Sequence, residues 1–126
     1  MIVLDTSALI FWTLDPVQLS APARQAIEGE DRLVVSSISV WEIALKVKRG
    51  KIELPLSIGD YVERLQRLEK LEILPVDART WLDNLDLDWE HRDPADRNIV
   101  AIAARLDCPL VSSDGVIADF YLKTIW

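Results

Sequence analysis

Met1-Ile2-Val3-Leu4-Asp5-Thr6-Ser7-Ala8 sets an apolar run directly against a carboxylate and two hydroxyls. A short continuous apolar run of this kind reads as a strand buried on both faces. Asp5, placed at its end, faces desolvation unless it finds a partner. Three further acids occupy comparable places. Glu42 lies just past Leu33-Val34-Val35, at the start of a helical pattern, and Asp114 follows Pro109-Leu110-Val111-Ser112-Ser113. Asp96 falls in the first turn of a helix opened by Asp93-Pro94. In an open parallel sheet, ligands bind at the carboxyl ends of the strands. Four acids gathered at that edge repel one another unless a cation stands between them. The pattern therefore predicts a hard divalent ion and chemistry assisted by it.

At 126 residues the chain is expected to form one domain, 1–126, with a substantial core. Its lone cysteine, Cys108, excludes an internal disulfide, fits a reducing compartment, and reads as a buried thiol between a helix and a strand. The chain opens on a strand without a basic, signal-like region, and no apolar run reaches membrane-spanning length. A cytoplasmic protein with no membrane partner is expected. A net charge of −7 argues against general attraction to nucleic acid, so any polyanion must be held by a local basic patch or by metal.

Strand-like runs alternate with helical patterns, the signature of an α/β fold with a parallel sheet flanked by helices. Strands are expected at 2–5, 33–36, 73–76, 110–112 and 122–125. Helices are expected at 7–14, from Ser20 to Gly29, and from an N-cap at Ser39 to Gly50. Others are expected at 58–70, from Asp77 to Leu85, at 94–106 and near 116–121. Trp41, Ala44, Leu45 and Lys48 share one helix face, Tyr61, Val62, Leu65 and Leu68 another. The acidic stretch 83–90 reads as a loop packing through Leu85, Leu87 and Trp89. Helix 7–14, with Leu9, Ile10, Phe11 and Trp12, is too apolar for a free surface and must be core or interface.

Each acid also has a plainer reading. Glu42 completes a capping box with Ser39. Asp93 is an N-cap, Asp96 complements the helix dipole, and Asp114 before Gly115 suits a turn. Capping alone does not select this set, because Asp77 and Ser20 also cap helices. Thr6, Ser7, Ser112 and Ser113 flank two of the acids as supporting hydroxyls. Oxygen-only ligands suit Mg²⁺ or Mn²⁺, whereas one histidine, His91, and one cysteine cannot build a zinc site. No phosphate-binding glycine loop, dinucleotide fingerprint or nucleophile elbow is present. Acidic clusters holding Mg²⁺ typically act on phosphate esters.

Four segments together resemble the PIN-domain family, and more narrowly its VapC toxins. They are Met1–Ala8, Ser36-Ser37-Ile38-Ser39-Val40-Trp41-Glu42-Ile43, His91-Arg92-Asp93-Pro94-Ala95-Asp96-Arg97, and Leu110-Val111-Ser112-Ser113-Asp114. The resemblance covers essentially the whole chain and implies a three-layer fold whose parallel sheet of about five strands runs 3-2-1-4-5. It implies a Mg²⁺- or Mn²⁺-dependent endoribonuclease acting as a toxin, with Asp5, Glu42, Asp96 and Asp114 as its catalytic and metal-binding quartet. Asp93 matches a frequent extra acid of the subgroup. Ala95 stands where the motif more often has a bulky aromatic, a departure expected to affect packing or the access groove more than the metal. An RNA substrate, a cognate VapB-like antitoxin and a homodimer are implied as partners. Lys46, four residues after Glu42, reads as a helical ion pair or a phosphate contact, and Arg97 as a second substrate contact. The rival reading is a non-catalytic PIN-like or receiver-like Mg²⁺-binding module. A receiver needs paired acids after the first strand, whereas Asp5 stands alone, Asp77 lacks a matching environment, and Lys123 lies within the last strand pattern.

Overall fold

The computed structural model describes all residues, 1–126. Five parallel strands form its sheet: β1 (Ile2–Leu4), β2 (Leu33–Ser36), β3 (Leu71–Leu74), β4 (Leu110–Val111) and β5 (Thr124–Ile125). Their order is β3-β2-β1-β4-β5, as the resemblance implied. β1 is central, with Val3 in register with Val34 of β2 on one side and Leu110 of β4 on the other. Chain order reverses about β1, so the crevice at the carboxyl ends of β1 and β4 is a topological switch point.

Alternation along the strands sends side chains into two apolar layers. Ile2, Leu4, Leu33, Val35 and Val111 meet α1 (Thr6–Leu14), α2 (Ala21–Glu28), α3 (Ser37–Lys48) and α4 (Ile58–Arg67) through Leu9, Ile27, Ile43, Tyr61 and Leu65. Val3, Val34 and Leu110 face the other way, onto α6 (Pro94–Leu106) and α7 (Gly115–Phe120). There Ile99, Val100, Ile102, Ala103 and Ile117 close the second layer, with the Cys108 thiol buried among them. α5 (Ala78–Asp86) packs alongside α6. No helix is long and apolar enough to cross a membrane.

Most helix limits follow the expected caps. Ser20 accepts from the Ala23 N–H at 3.1 Å, Asp77 from Thr80 at 2.9 Å, and Pro16 stops α1 in a 3₁₀ turn. Four expectations are corrected. α3 begins two residues before Ser39, and its N-cap is Ser36, whose Oγ accepts from the Ile38 N–H at 3.2 Å. β2 therefore runs into α3 without a loop, and Ser39 lies inside the helix. The buried face of α3 carries Ser39 and Ile43, while Trp41 is 59% exposed; the Lys48 tip extends outward as expected. β3 starts two residues early because buried Leu71 pairs with Leu33. Residues 83–86 belong to α5 and leave Leu85 75% exposed, so only Leu87 and Trp89 of that stretch pack inward.

Ile99, fully buried on α6 against β1 and β2, should be intolerant of truncation. Ile99→Ala is expected to lower unfolding stability by about 2–5 kcal/mol in urea denaturation. A loss below about 1 kcal/mol would contradict its place in the second layer.

Candidate active site

Asp5 leaves β1 and becomes the N-cap of α1, its Oδ1 accepting the Ala8 N–H at 2.7 Å. It is 6% exposed. Asp114 occupies the equivalent place after β4, capping α7 by accepting from the Val116 N–H at 2.8 Å. Its own N–H donates to buried Ser112 Oγ at 3.1 Å, which fixes the turn between strand and helix. Asp93 caps α6, its Oδ1 receiving the N–H groups of Ala95 at 2.9 Å and Asp96 at 3.1 Å. Asp96 rides in the first turn of that helix. The cap expected at Asp93 and the dipole pairing expected at Asp96 are present, and Asp5 and Asp114 prove to be caps as well, so the acids line one edge of the sheet.

Glu42 departs from its expected cap. Having no N-cap at Ser39 to complete, it accepts the Thr6 hydroxyl at Oε1. Thr6 Oγ1 also lies 2.9 Å from Ser39 Oγ. One hydroxyl carries one hydrogen, so Thr6 donates to Glu42 and Ser39 donates to Thr6. This buried relay ties α3 to α1 beside Asp5. Ser7 and Ser113 lie at the same two strand ends, half-buried and exposed respectively.

Burial pushes the Asp5 carboxyl up to about 6; the Ser112 hydroxyl and Ala8 N–H oppose this, and Asp96 and Asp114 add to it. Burial also raises Glu42, against the Thr6 hydroxyl, with Asp93 and Asp96 contributing and Lys46 opposing. Asp96 is raised by burial, opposed by its hydrogen bond from His91, and raised further by Asp93 and Asp114. Asp96 contributes to both other rises, so it stands at the centre of the acids' mutual repulsion.

The donor chemistry, carboxylate oxygen with excess negative charge, fits Mg²⁺ or Mn²⁺. In this arrangement no three acid, histidine or cysteine side chains converge to ligate one ion together. Each carboxylate instead spends an oxygen on a protein donor. Gathering several ligands on one ion therefore calls for side-chain rotation about the pinned Asp5.

Two residues differ from their reading in the sequence. Arg97 was expected to contact substrate, yet its guanidinium is committed within the chain. It donates to the carbonyls of Asn84 (2.6 Å), Leu87 (3.2 Å), His91 (3.0 Å) and Trp89, and to Asn84 Oδ1 (3.0 Å). His91, considered only as a zinc ligand or hydrolase base, lies 2.8 Å through Nε2 from Asp96 Oδ2. Its closeness to Asp93-Pro94 in sequence was the available signal. Receiver chemistry finds no support: Asp77 is a cap, and Lys123 pairs with Asp107 at 2.5 Å.

The fold and its acidic edge define a class. The chain belongs to the PIN-domain family, whose profile matches residues 2–122. Within that family it is of the VapC type. It is 32% identical over 114 residues to ribonuclease VapC22 of Mycobacterium tuberculosis, covering 90% of this chain and 86% of that protein. A toxin–antitoxin complex from Klebsiella pneumoniae shares the fold, with a TM-score of 0.69 at 16% identity over 100% of this chain and 97% of that one. So does VapC20 of M. tuberculosis, a sarcin–ricin loop cleaving toxin, with a TM-score of 0.68 at 14% identity over 94% of each chain.

A carboxyl raised on folding takes up its proton in the native state first, so stability increases as pH falls through about 6 and levels off near 4. At pH 7 the charged Asp5 costs about 3 kcal/mol. Asp5→Asn should therefore raise the unfolding midpoint at pH 7, and its advantage should vanish by about pH 4. Equal midpoints at pH 7 would remove the case for a strained carboxylate.

Proposed function

We propose that this chain is a divalent-ion-dependent endoribonuclease, the toxin of a toxin–antitoxin pair. The observation that carries the reading is buried Asp5, raised to about 6 within reach of Asp96 and Asp114 at the sheet's switch point. Such a group is costly to the fold and useful to a cation. Ribonuclease VapC22, the 32%-identical relative, supports RNA as the substrate.

In this reading Asp5 and Asp96 hold Mg²⁺ or Mn²⁺ most directly, and Glu42 and Asp114 complete the shell or hold its waters. When bound, the ion supplies a lowered pKa for water and offsets charge on the attacked phosphate. The chain's own residues set the geometry. Ala8 pins Asp5, Thr6 restrains Glu42, and the α6 dipole and Asp93 orient the turn that carries Asp96. Lys46, one turn beyond Glu42 and near enough to favour its charged form, is the cation assigned to an RNA phosphate. Arg97, spent on carbonyls, is not. Without a general basic surface, substrate is held locally, by the ion and Lys46, which favours a defined RNA over bulk RNA.

A VapB-like antitoxin is the expected protein partner, and the net charge of −7 suits one with basic segments. The Klebsiella pneumoniae toxin–antitoxin complex supports this. Self-association is the second expected contact. Trp41 of α3 and Trp81 and Leu85 of α5 stand exposed around adjoining hollows, an apolar surface that a second copy could cover.

Purified protein should cleave RNA with Mg²⁺ or Mn²⁺ and not with EDTA. Asp96→Asn should keep its circular dichroism spectrum while losing on the order of a hundredfold or more in rate. Metal-dependent cutting retained by that variant would sink the assignment. For the apolar surface, Leu85→Glu should shift sedimentation from dimer toward monomer at micromolar concentration. A wild type that sediments as a monomer would remove self-association from the reading.

A further inference from the structure

Residues 87–91 cross the site's rim as a strap joining α5 to the start of α6, and Arg97 and Phe120 hold it. Arg97, the residue after Asp96, donates to the strap's carbonyls at Leu87, Trp89 and His91. Asn84, at the end of α5, fixes the guanidinium from the other side through its own carbonyl and Oδ1. The Trp89 ring lies flat on Phe120 of α7, centroids 4.7 Å apart and planes within 5°. α7 is the helix that Asp114 caps. The strap therefore links the helix bearing Asp96 to the helix bearing Asp114.

His91 is the strap's last residue. Its ring packs on Trp89, centroids 4.7 Å apart, and its Nε2 meets Asp96 Oδ2 at 2.8 Å. Asp96 is only partly exposed, and its other oxygen, Oδ1, accepts no hydrogen bond within the chain. A carboxylate with one oxygen tied has a restricted torsion, so the other presents in a defined direction. Hydrogen bonds to ligating groups commonly set metal affinity in this way.

We propose that His91 is a positioning residue for Asp96: it fixes one carboxylate oxygen so that the other is presented to a divalent ion, and the strap braced by Arg97 and Phe120 holds the ring there. This rests on the reading of the acids as ion ligands. The inference predicts that the imidazole acts through its donor, not as a ligand. It also assigns Arg97 a part in ion binding at one remove, without touching substrate.

The test is Mn²⁺ affinity by titration calorimetry on the full chain, alongside the thermal midpoint of the metal-free protein. His91→Ala should weaken Mn²⁺ binding about tenfold or more while moving the midpoint little. His91→Gln, whose amide Nε2–H can take the imidazole's place, should recover most of that loss. Trp89→Leu should fall between them, because the ring keeps its donor but loses its backing. Unchanged or tighter binding in His91→Ala would overturn the inference. So would a Gln variant as weak as Ala, which would make the ring nitrogen a ligand itself. A folded wild type that binds no Mn²⁺ would instead bring down the ion-ligand reading on which the inference stands.

Discussion

Burial of a carboxylate at the end of β1 is the constraint on which the rest of this fold depends. Asp5 stands where the central strand stops, almost without solvent, and is destabilised further by Asp96 and Asp114. The surroundings reduce this penalty without removing it. Ala8 and Ser112 donate to Asp5, Thr6 to Glu42, and His91 to Asp96. The start of α1 supplies two of these donors, and the end of β4 and the segment before α6 one each, to carboxylates that a simpler core would exclude. Packing on both faces of the sheet holds them together despite this cost, which burial of apolar layers on this scale can absorb.

The topology concentrates that charge with little chain. β1 lies between β2 and β4, and β1, β2 and β4 lead promptly into helices capped by their last residue or by one shortly after: Asp5, Ser36 and Asp114. A cap accepts N–H groups at the positive end of a helix, so the same residue ends the strand, begins the helix and faces the crevice. Capping and function, which compete as explanations when each acid is considered alone, are here one arrangement. Glu42 is the exception, since it caps nothing. Its carboxylate is held by a hydroxyl relay from Thr6 and Ser39.

Much of this was legible in the sequence because it is local. Apolar runs gave all five strands to within two residues, and Ser20, Asp77 and Asp93 marked helix starts through the hydrogen bonds they accept. The acids were conspicuous because each followed a strand or opened a helix. What was not legible depends on contacts between distant segments. Ser39 and Glu42 have capping-box spacing, but β2 passes into α3 without a loop, so the cap moved back to Ser36. β3 was placed late because its register is set by Leu33 across the sheet and not by its own pattern. Arg97 beside an acid motif resembles a phosphate contact in one dimension; only the folded path of residues 84–91 delivers carbonyls to it. His91 likewise acquires its partner through that path.

Arg97 grips the strap by its backbone, hydrogen-bonding no side chain between Leu87 and His91. A carbonyl is the same whatever residue bears it. Side chains along this rim can therefore be exchanged through mutation while the path of the chain is kept, so long as the arginine and Asn84 remain. Trp89 and His91 have contacts of their own, but Asp88 and Glu90 have no such tie. The segment nearest the acids is consequently a place where descendants of this protein could try new surfaces without rebuilding the scaffold beneath them.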